Sequence, residues 1–303
     1  MIVARIDGGL GNQMFQFAFA LQTATRLDEP LELDLSSYRR KPQHGYSLDA
    51  WQMDVPTRYE PSHRLPRRYR REDSRQRPLD AVLDWLDPRT LNRFREKPFG
   101  FDEKVLNAPK NSYLVGYWQS EKFFRDVASQ VRTAFQPRTA PSDTTRRLID
   151  EMSAGPSIAL HVRRGDYVSD PSARAIYRSL SIPYYYRPAV FDWLNRHSRV
   201  KAFVFTNDHK WCRERLALPC PVHYVDHTDV RTAWEDMWMM TSAARVVIAN
   251  STFSWWGAWL NHRPDKSVIA PTHWFHPGTL DGRHLNCESW ITIDDSQVAS
   301  AAA

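Results

Sequence analysis

The residues with the clearest chemical potential form one run, His161-Val162-Arg163-Arg164-Gly165-Asp166-Tyr167, directly after the apolar stretch SIAL. Adjacent guanidinium groups can clamp a pyrophosphate, because each offers planar, bidentate donors and stays charged. When a nucleoside diphosphate leaves, negative charge grows on its β-phosphate. An arginine aimed there stabilises the transition state beyond the ground state. Asp166 has the chemistry to orient an arginine or to accept a proton, with His161 the second candidate base. Gly165 permits a tight turn. Alternation along a strand sends Arg163 and Arg164 to opposite faces, so one of the two is expected at the phosphate. An Arg–Asp pair that merely holds a loop would use the same residues.

Three further clusters carry directed polar groups. Asn250, Ser251, Thr252, Phe253, Ser254 and Trp255 stand where a helix is expected to open. Their hydroxyls exceed what one cap requires, and the N–H groups of a first turn form a phosphate site. Trp255 is the tryptophan to test as a sugar platform; Trp256 and Trp259 read as packing. Asn207 and Asp208 suit a base or ribose, or a second helix cap. Asp236, beside Glu235, could reach a ribose hydroxyl or lie on a solvated face. The glycines of GGLGNQ (8–13) let backbone approach a ligand, and Asn12 and Gln13 add hydrogen bonds. Met14 stands where a dinucleotide fingerprint needs its last glycine, and no lysine completes a P-loop, so an NAD-dependent oxidoreductase is the weaker reading.

No Asp-x-Asp occurs, and His223, Asp226, His227 and Asp229 lack standard ligand spacing. No metal ligands are therefore assigned, and no metal requirement is expected. Charge neutralisation falls to arginines and helix N-termini.

These clusters need elements to position them. The β-rich runs at 157–162, 201–206, 222–225, 245–250 and 266–270 alternate with helical candidates at 184–197, 209–217, 230–244 and 254–261. Such alternation implies a parallel sheet covered on both faces. The polar clusters fall at the carboxyl ends of its strands, where open α/β sheets bind ligands. The chain starts with IVARI, a glycine-rich turn, a helix reaching Leu27 and a candidate strand at 31–35. The pattern then weakens until about 110, before a strand at 113–119 and a helix at 120–135. The segment PRTAPSD (137–143) reads as a hinge between domains at 1–140 and 141–295, followed by a tail at 296–303.

At 303 residues, with 42% hydrophobic and 13% aromatic residues, the chain is long enough for two globular domains. Its net charge of +6 is concentrated between Arg58 and Arg77, where eight arginines face Glu60, Glu72 and Asp73. That run suits a solvated surface, an anionic membrane face or an acidic glycan. No reader motif supports nucleic-acid binding. Cys212, Cys220 and Cys287 lack disulfide or metal spacing, and no signal peptide or membrane-spanning run is visible. The expected location is cytoplasmic, with peripheral contact to an anionic inner-membrane surface through Arg58–Arg77. A glycan-binding protein without catalysis would explain the aromatics and the basic run, but does not need HVRRGDY.

Taken together, HVRRGDY, GGLGNQMFQFA and IANSTFSWWGAWL resemble the bacterial alpha-1,2-fucosyltransferases, over residues 1–17 and 158–260. The resemblance implies an α/β, GT-B-like fold of two facing Rossmann-type domains with parallel sheets. The N-terminal domain would be on the acceptor side, and the C-terminal domain would hold the nucleotide. It implies inverting transfer of fucose from GDP-β-L-fucose to the 2-hydroxyl of a glycan, such as a β-galactoside, on an oligosaccharide or glycolipid acceptor. Another nucleotide sugar or linkage is the alternative. By the same resemblance Arg163 would hold the β-phosphate, supported by Arg164 and His161. Ser251 to Ser254 would bind phosphate, Asn207 with Asp208 or Asp236 would face ribose or guanine, and Asn12 would approach the fucose or pyrophosphate. Segment 38–112 aligns with nothing in the family and is expected to carry acceptor recognition.

Overall fold

A computed structural model describes residues 1–39, 45–60, 64–65, 79, 82–83, 87, 90–229 and 231–295. The chain divides into two compact units, Met1–Arg138 and Thr139–Ala303. Most of the basic run 58–77 and the tail 296–303 lie outside the described residues. Within the run, Arg58 pairs with Glu32 at 2.8 Å.

In the first unit, strands β1 (Ile2–Arg5), β2 (Leu31–Asp34), β3 (Thr57–Arg58), β4 (Asn92–Arg95) and β5 (Ser112–Val115) form a sheet in the order β3-β2-β1-β5-β4. Every pairing is parallel. Helix α1 (Leu10–Leu27) crosses from β1 to β2. Phe15, Phe17 and Phe19 are all buried, which explains why the helix is apolar on more than one face. It stops at Asp28, whose left-handed conformation (φ 51°) closes the last turn by donating to the carbonyls of Ala24 and Thr25.

The helix expected at 120–135 is instead two short 3-10 turns, Glu121–Phe123 and Arg125–Val127, followed by α2 (Ala128–Ala134). Phe124 breaks the path (φ −139°), and both neighbouring rings face α1: Phe123 meets Phe19 at 5.6 Å and Phe124 meets Phe15 at 6.2 Å. Strands β3 and β4 fall in the stretch that showed no period. Both are edge strands, held by backbone pairing and largely solvated, so they need little apolar sequence.

The second unit carries β6 (Ile158–Val162), β7 (Ala202–Thr206), β8 (Val222–Tyr224), β9 (Arg245–Val247), β10 (Ser267–Pro271) and β11 (Ile291–Ile293), ordered β11-β10-β9-β6-β7-β8. These pairings are also parallel. Its helices are α3 (Asp143–Ser153), α4 (Gly165–Ser169), α5 (Pro171–Ile176), α6 (Arg187–Leu194), α7 (His209–Arg215), α8 (Ala233–Met240) and α9 (Thr252–Leu260). The first part of the helix expected at 184–197 is a π-turn, Ile182–Tyr186, capped by Ser181. Strand β6 is buried along its whole length, as a central parallel strand must be.

Candidate active site

Chain direction through the second sheet reverses between β6 and β9: β7 and β8 follow on one side, β10 and β11 on the other. The loops after β6 and β9 therefore leave the sheet at its switch point, the position where open α/β sheets bind ligands. HVRRGDY and NSTFSWW are those two loops. They touch: the Tyr167 hydroxyl donates to the Asn250 carbonyl at 3.0 Å, and the His161 ring lies 5.6 Å from that of Phe253.

The two arginines have different surroundings. Arg163 pairs with Asp166, the second residue of α4, at 2.7 Å, and its guanidinium lies 5.5 Å from the Tyr167 ring. Its side chain is 29% exposed and that of Asp166 47%. A partly solvated cation held in one orientation is what an incoming diphosphate requires. Arg164 instead lies over the Trp211 ring at 3.9 Å and donates through Nε to Asp208 at 3.2 Å. Its backbone N–H donates to Asn207 Oδ1 at 3.0 Å. The loops after β6 and β7 are thus bolted together by Arg164, Asn207, Asp208 and Trp211. Gly165 is required here, because a Cβ would stand 2.2 Å from Asn207 Nδ2.

Several expected site residues are committed to scaffolding. Asp208 caps α7 by accepting from the Trp211 N–H at 3.1 Å. Asn250 Nδ2 donates to the carbonyls of Arg178 and Trp274, both at 2.8 Å. Ser254 is fully buried and accepts from the Ala249 N–H at 3.2 Å. Trp255 is fully buried, donates Nε1 to Leu285 O at 2.6 Å and packs against Trp256, Trp259 and Trp290. A ring so enclosed is a packing element, not a sugar platform. Ser251 caps α9 without a side-chain hydrogen bond to its first turn, and Thr252 and Phe253 are half-buried beside it. Within this motif, Thr252 and Phe253 at the start of α9 are the half-buried positions, whereas Ser254 and Trp255 are enclosed.

His161 is buried, and its Nδ1 meets no protein partner. Burial, and then the Arg163 cation, push its pKa down to about 3. Burial beside a cation thus disfavours the protonated imidazole, which weighs against His161 as a general base. Asp236, in α8, accepts from the Thr228 hydroxyl at 2.8 Å. Burial, reinforced by Glu235, moves its pKa up to about 7 despite that hydrogen bond. Glu235 itself joins α3 to α8, accepting from the hydroxyls of Ser142 at 2.8 Å and of Thr145.

In the first unit, Gln13 is fully buried: its amide donates to the carbonyls of Gly8 and Gly45, both at 2.9 Å, and accepts from the Ser47 N–H at 2.9 Å. It shapes the glycine-rich loop and has no group left for a ligand. Asn12 Oδ1 accepts from Gln119 at 2.9 Å. Gly8 takes a positive φ of 83°, which only glycine adopts without strain. Trp211 and Tyr177 were missed at the level of sequence. Tyr177 stacks on Tyr167 at 4.3 Å, and nothing local distinguishes it from any other tyrosine. Trp211 had one signal, a position one turn beyond a capping aspartate. Among the described residues no group of three or more His, Cys, Asp or Glu could hold a metal ion, and no helix is long and apolar enough to cross a membrane.

Two α/β units with parallel sheets are the architecture of a GT-B-type fold. The chain belongs to glycosyl transferase family 11, whose profile matches residues 90–293. The alpha-1,2-colitosyltransferase of Escherichia coli is 31% identical over 97% of this chain and 99% of its own length. The galactoside alpha-(1,2)-fucosyltransferase 1 of Ateles belzebuth is 26% identical over 60% of this chain and 50% of its own. Among solved structures, POFUT1 in complex with GDP matches with a TM-score of 0.53 at 17% identity, covering 89% of this chain and 97% of that one. The last likeness concerns the fold.

Proposed function

We propose that this glycosyltransferase moves L-fucose from GDP-β-L-fucose to the 2-hydroxyl of a β-galactoside unit in an oligosaccharide or glycolipid, with inversion and without a metal ion. The observation that carries the reading is Arg163, partly solvated and held by Asp166, in a loop whose Tyr167 bonds to Asn250 just before α9. Arg163 and the first N–H groups of α9 hold the diphosphate at the switch point between β6 and β9. As the C1–O bond to the β-phosphate breaks, its electrons pass to the phosphate oxygen, and Arg163 stabilises the growing charge. The acceptor oxygen forms the new bond from the opposite face, and its proton is handed to solvent water and reaches the departing phosphate through it. Asp166 acts as the positioning partner of Arg163. The second unit, 141–295, is then the nucleotide domain, with Asp236 facing the ribose or guanine and His161 supporting Arg163, and 1–140 the acceptor side.

Incubating the purified chain with GDP-fucose and a panel of β-galactosides, with and without EDTA, tests this. Transfer to the 2-hydroxyl that survives EDTA and is lost in Arg163→Ala supports it; turnover kept by a folded Arg163→Ala overturns the clamp. The 31% identity with a colitosyltransferase over nearly the whole chain favours one second reading, a GDP-colitose donor. Competition between the two donors in one assay separates them. The reading places the reaction in the cytoplasm, with the run 58–77 resting on an anionic membrane, which cosedimentation with anionic vesicles checks.

A further inference from the structure

The first sheet has a switch point of its own. Strands β2 and β3 run outward from β1 on one side, while β5 and β4 lie on the other, so the loops after β1 and β5 diverge. Outside those strand ends sits a cavity of about 310 Å³, within the range of small-molecule sites, lined by Arg5, Asp7, Arg95, Glu96, Phe99 and Tyr117 among others. Its described lining residues all belong to the unit Met1–Arg138, and none of them was singled out by sequence.

The lining is braced. Gln16 accepts from the Asp7 N–H at 2.9 Å and donates to Gly116 O at 3.0 Å, tying the β1 loop to the β5 loop. Glu96 accepts from the backbone N–H groups of Tyr117 at 2.7 Å and Trp118 at 3.2 Å. Gly116 allows that approach, since a Cβ would lie 2.5 Å from Glu96 Cβ. Asp7 accepts from the Gly8 N–H at 2.9 Å and stands 3.6 Å from Arg5. Among the described lining residues the charges balance, two guanidinium groups against two carboxylates, which leaves no net charge there to draw an anion. What it offers instead is acceptors for hydroxyl protons, donors for hydroxyl oxygens, and two aromatic rings for an apolar face. A sugar ring presents all of these at once: hydroxyls around its edge and C–H groups on one face.

We propose that this cavity binds a neutral hexose unit of the acceptor glycan, with Asp7 and Tyr117 as principal contacts. The term acceptor rests on the glycosyl-transfer reading above; sugar binding does not, and is measured without turnover. Saturation-transfer NMR on the full chain, with methyl β-D-galactopyranoside as probe and with and without GDP, gives the readout. The variants are Asp7→Asn, which keeps an oxygen for the Gly8 N–H, and Val115→Phe, which fills the cavity. Melting temperature and its rise with GDP report that each is folded. Affinity for the galactoside should fall at least tenfold in Asp7→Asn and vanish in Val115→Phe, with the Kd for GDP within twofold of wild type. In the transfer assay the same variants should raise KM for the galactoside at least tenfold and KM for the donor less than twofold. Three outcomes overturn the proposal: no saturation transfer to the galactoside in the wild type, unchanged galactoside binding in both folded variants, or displacement of the galactoside by GDP. Should GDP-fucose prove not to be a donor, the clamp reading falls while the binding measurement still decides this one.

Discussion

Neighbouring residues of one type have been given different work by what surrounds them. Arg163 and Arg164 are adjacent and both partly exposed, yet Arg164 is tied to the neighbouring β7 loop through Trp211 and Asp208, while Arg163 pairs within its own loop with Asp166. Removing Arg163 should therefore lower kcat by about a hundred- to a thousandfold, the range for losing one preorganised donor to developing charge. Asp166→Asn can still accept from Arg163, and should cost only about tenfold if the carboxylate positions and does not take the proton. Initial rates of both variants at saturating donor check the pair. Asp236 titrates near pH 7 in the folded chain against 3.8 for the ordinary group. Between those values the native state holds the extra proton, so this group's contribution to stability falls as pH rises through that window. His161 acts in the opposite sense: its folded pKa of about 3 lies below 6.5, so its contribution is full above pH 6.5 and lost as pH falls toward 3. Comparing melting temperatures of wild type and Asp236→Asn from pH 5 to 8 isolates Asp236, and the variant should gain on the wild type as pH rises. A constant difference would show that Asp236 ionises normally.

At the scale of elements, close approach explains the glycines that matter most. Helices α8 and α9 meet at Gly257, where a Cβ would lie 2.8 Å from Met240 Cβ and Sδ. Gly257→Ala should overpack this contact at about 1–3 kcal/mol, and lower the melting temperature by roughly 2–4 °C per kcal/mol. Gly165→Ala meets Asn207, a side chain that can move, but at the loss of the Arg164 N–H bond that joins two site loops. Its expected signature is thus a larger fall in kcat than in stability, measured by rates and thermal melts on one preparation. Most of the second sheet was legible in sequence, because central parallel strands such as Ile158–Val162 must be continuous apolar runs. Strands β3, β4 and β11 were not, since edge strands are held by backbone hydrogen bonds that any sequence supplies.

At the scale of the whole molecule, the two units each have a sheet with its own reversal of strand order. A nucleotide held at the second sheet should stabilise that unit by mass action, about 2.7 kcal/mol at a hundredfold excess over Kd. Hydrogen exchange with saturating GDP is expected to slow in the loops after β6 and β9 and in the first turn of α9, and to leave the core of β1, β2 and β5 unchanged. Protection appearing first around β1 would reverse the assignment of the units. The amino-acid order alone determined the alternation of strands and helices, the polar clusters at strand ends and the motifs by which the family is recognised. Those features are local: they depend on periods of a few residues and on side-chain chemistry within one loop. Only the tertiary structure decided which polar groups remain for a ligand. Gln13 is held by Gly45, Asn250 by Arg178 and Trp274, and Trp255 by Leu285, partners at least 24 residues away in the chain. The cavity between the β1 and β5 loops is likewise a product of strand order. Residues 5, 95 and 117 meet there only because parallel pairing sets β1 and β4 on either side of β5.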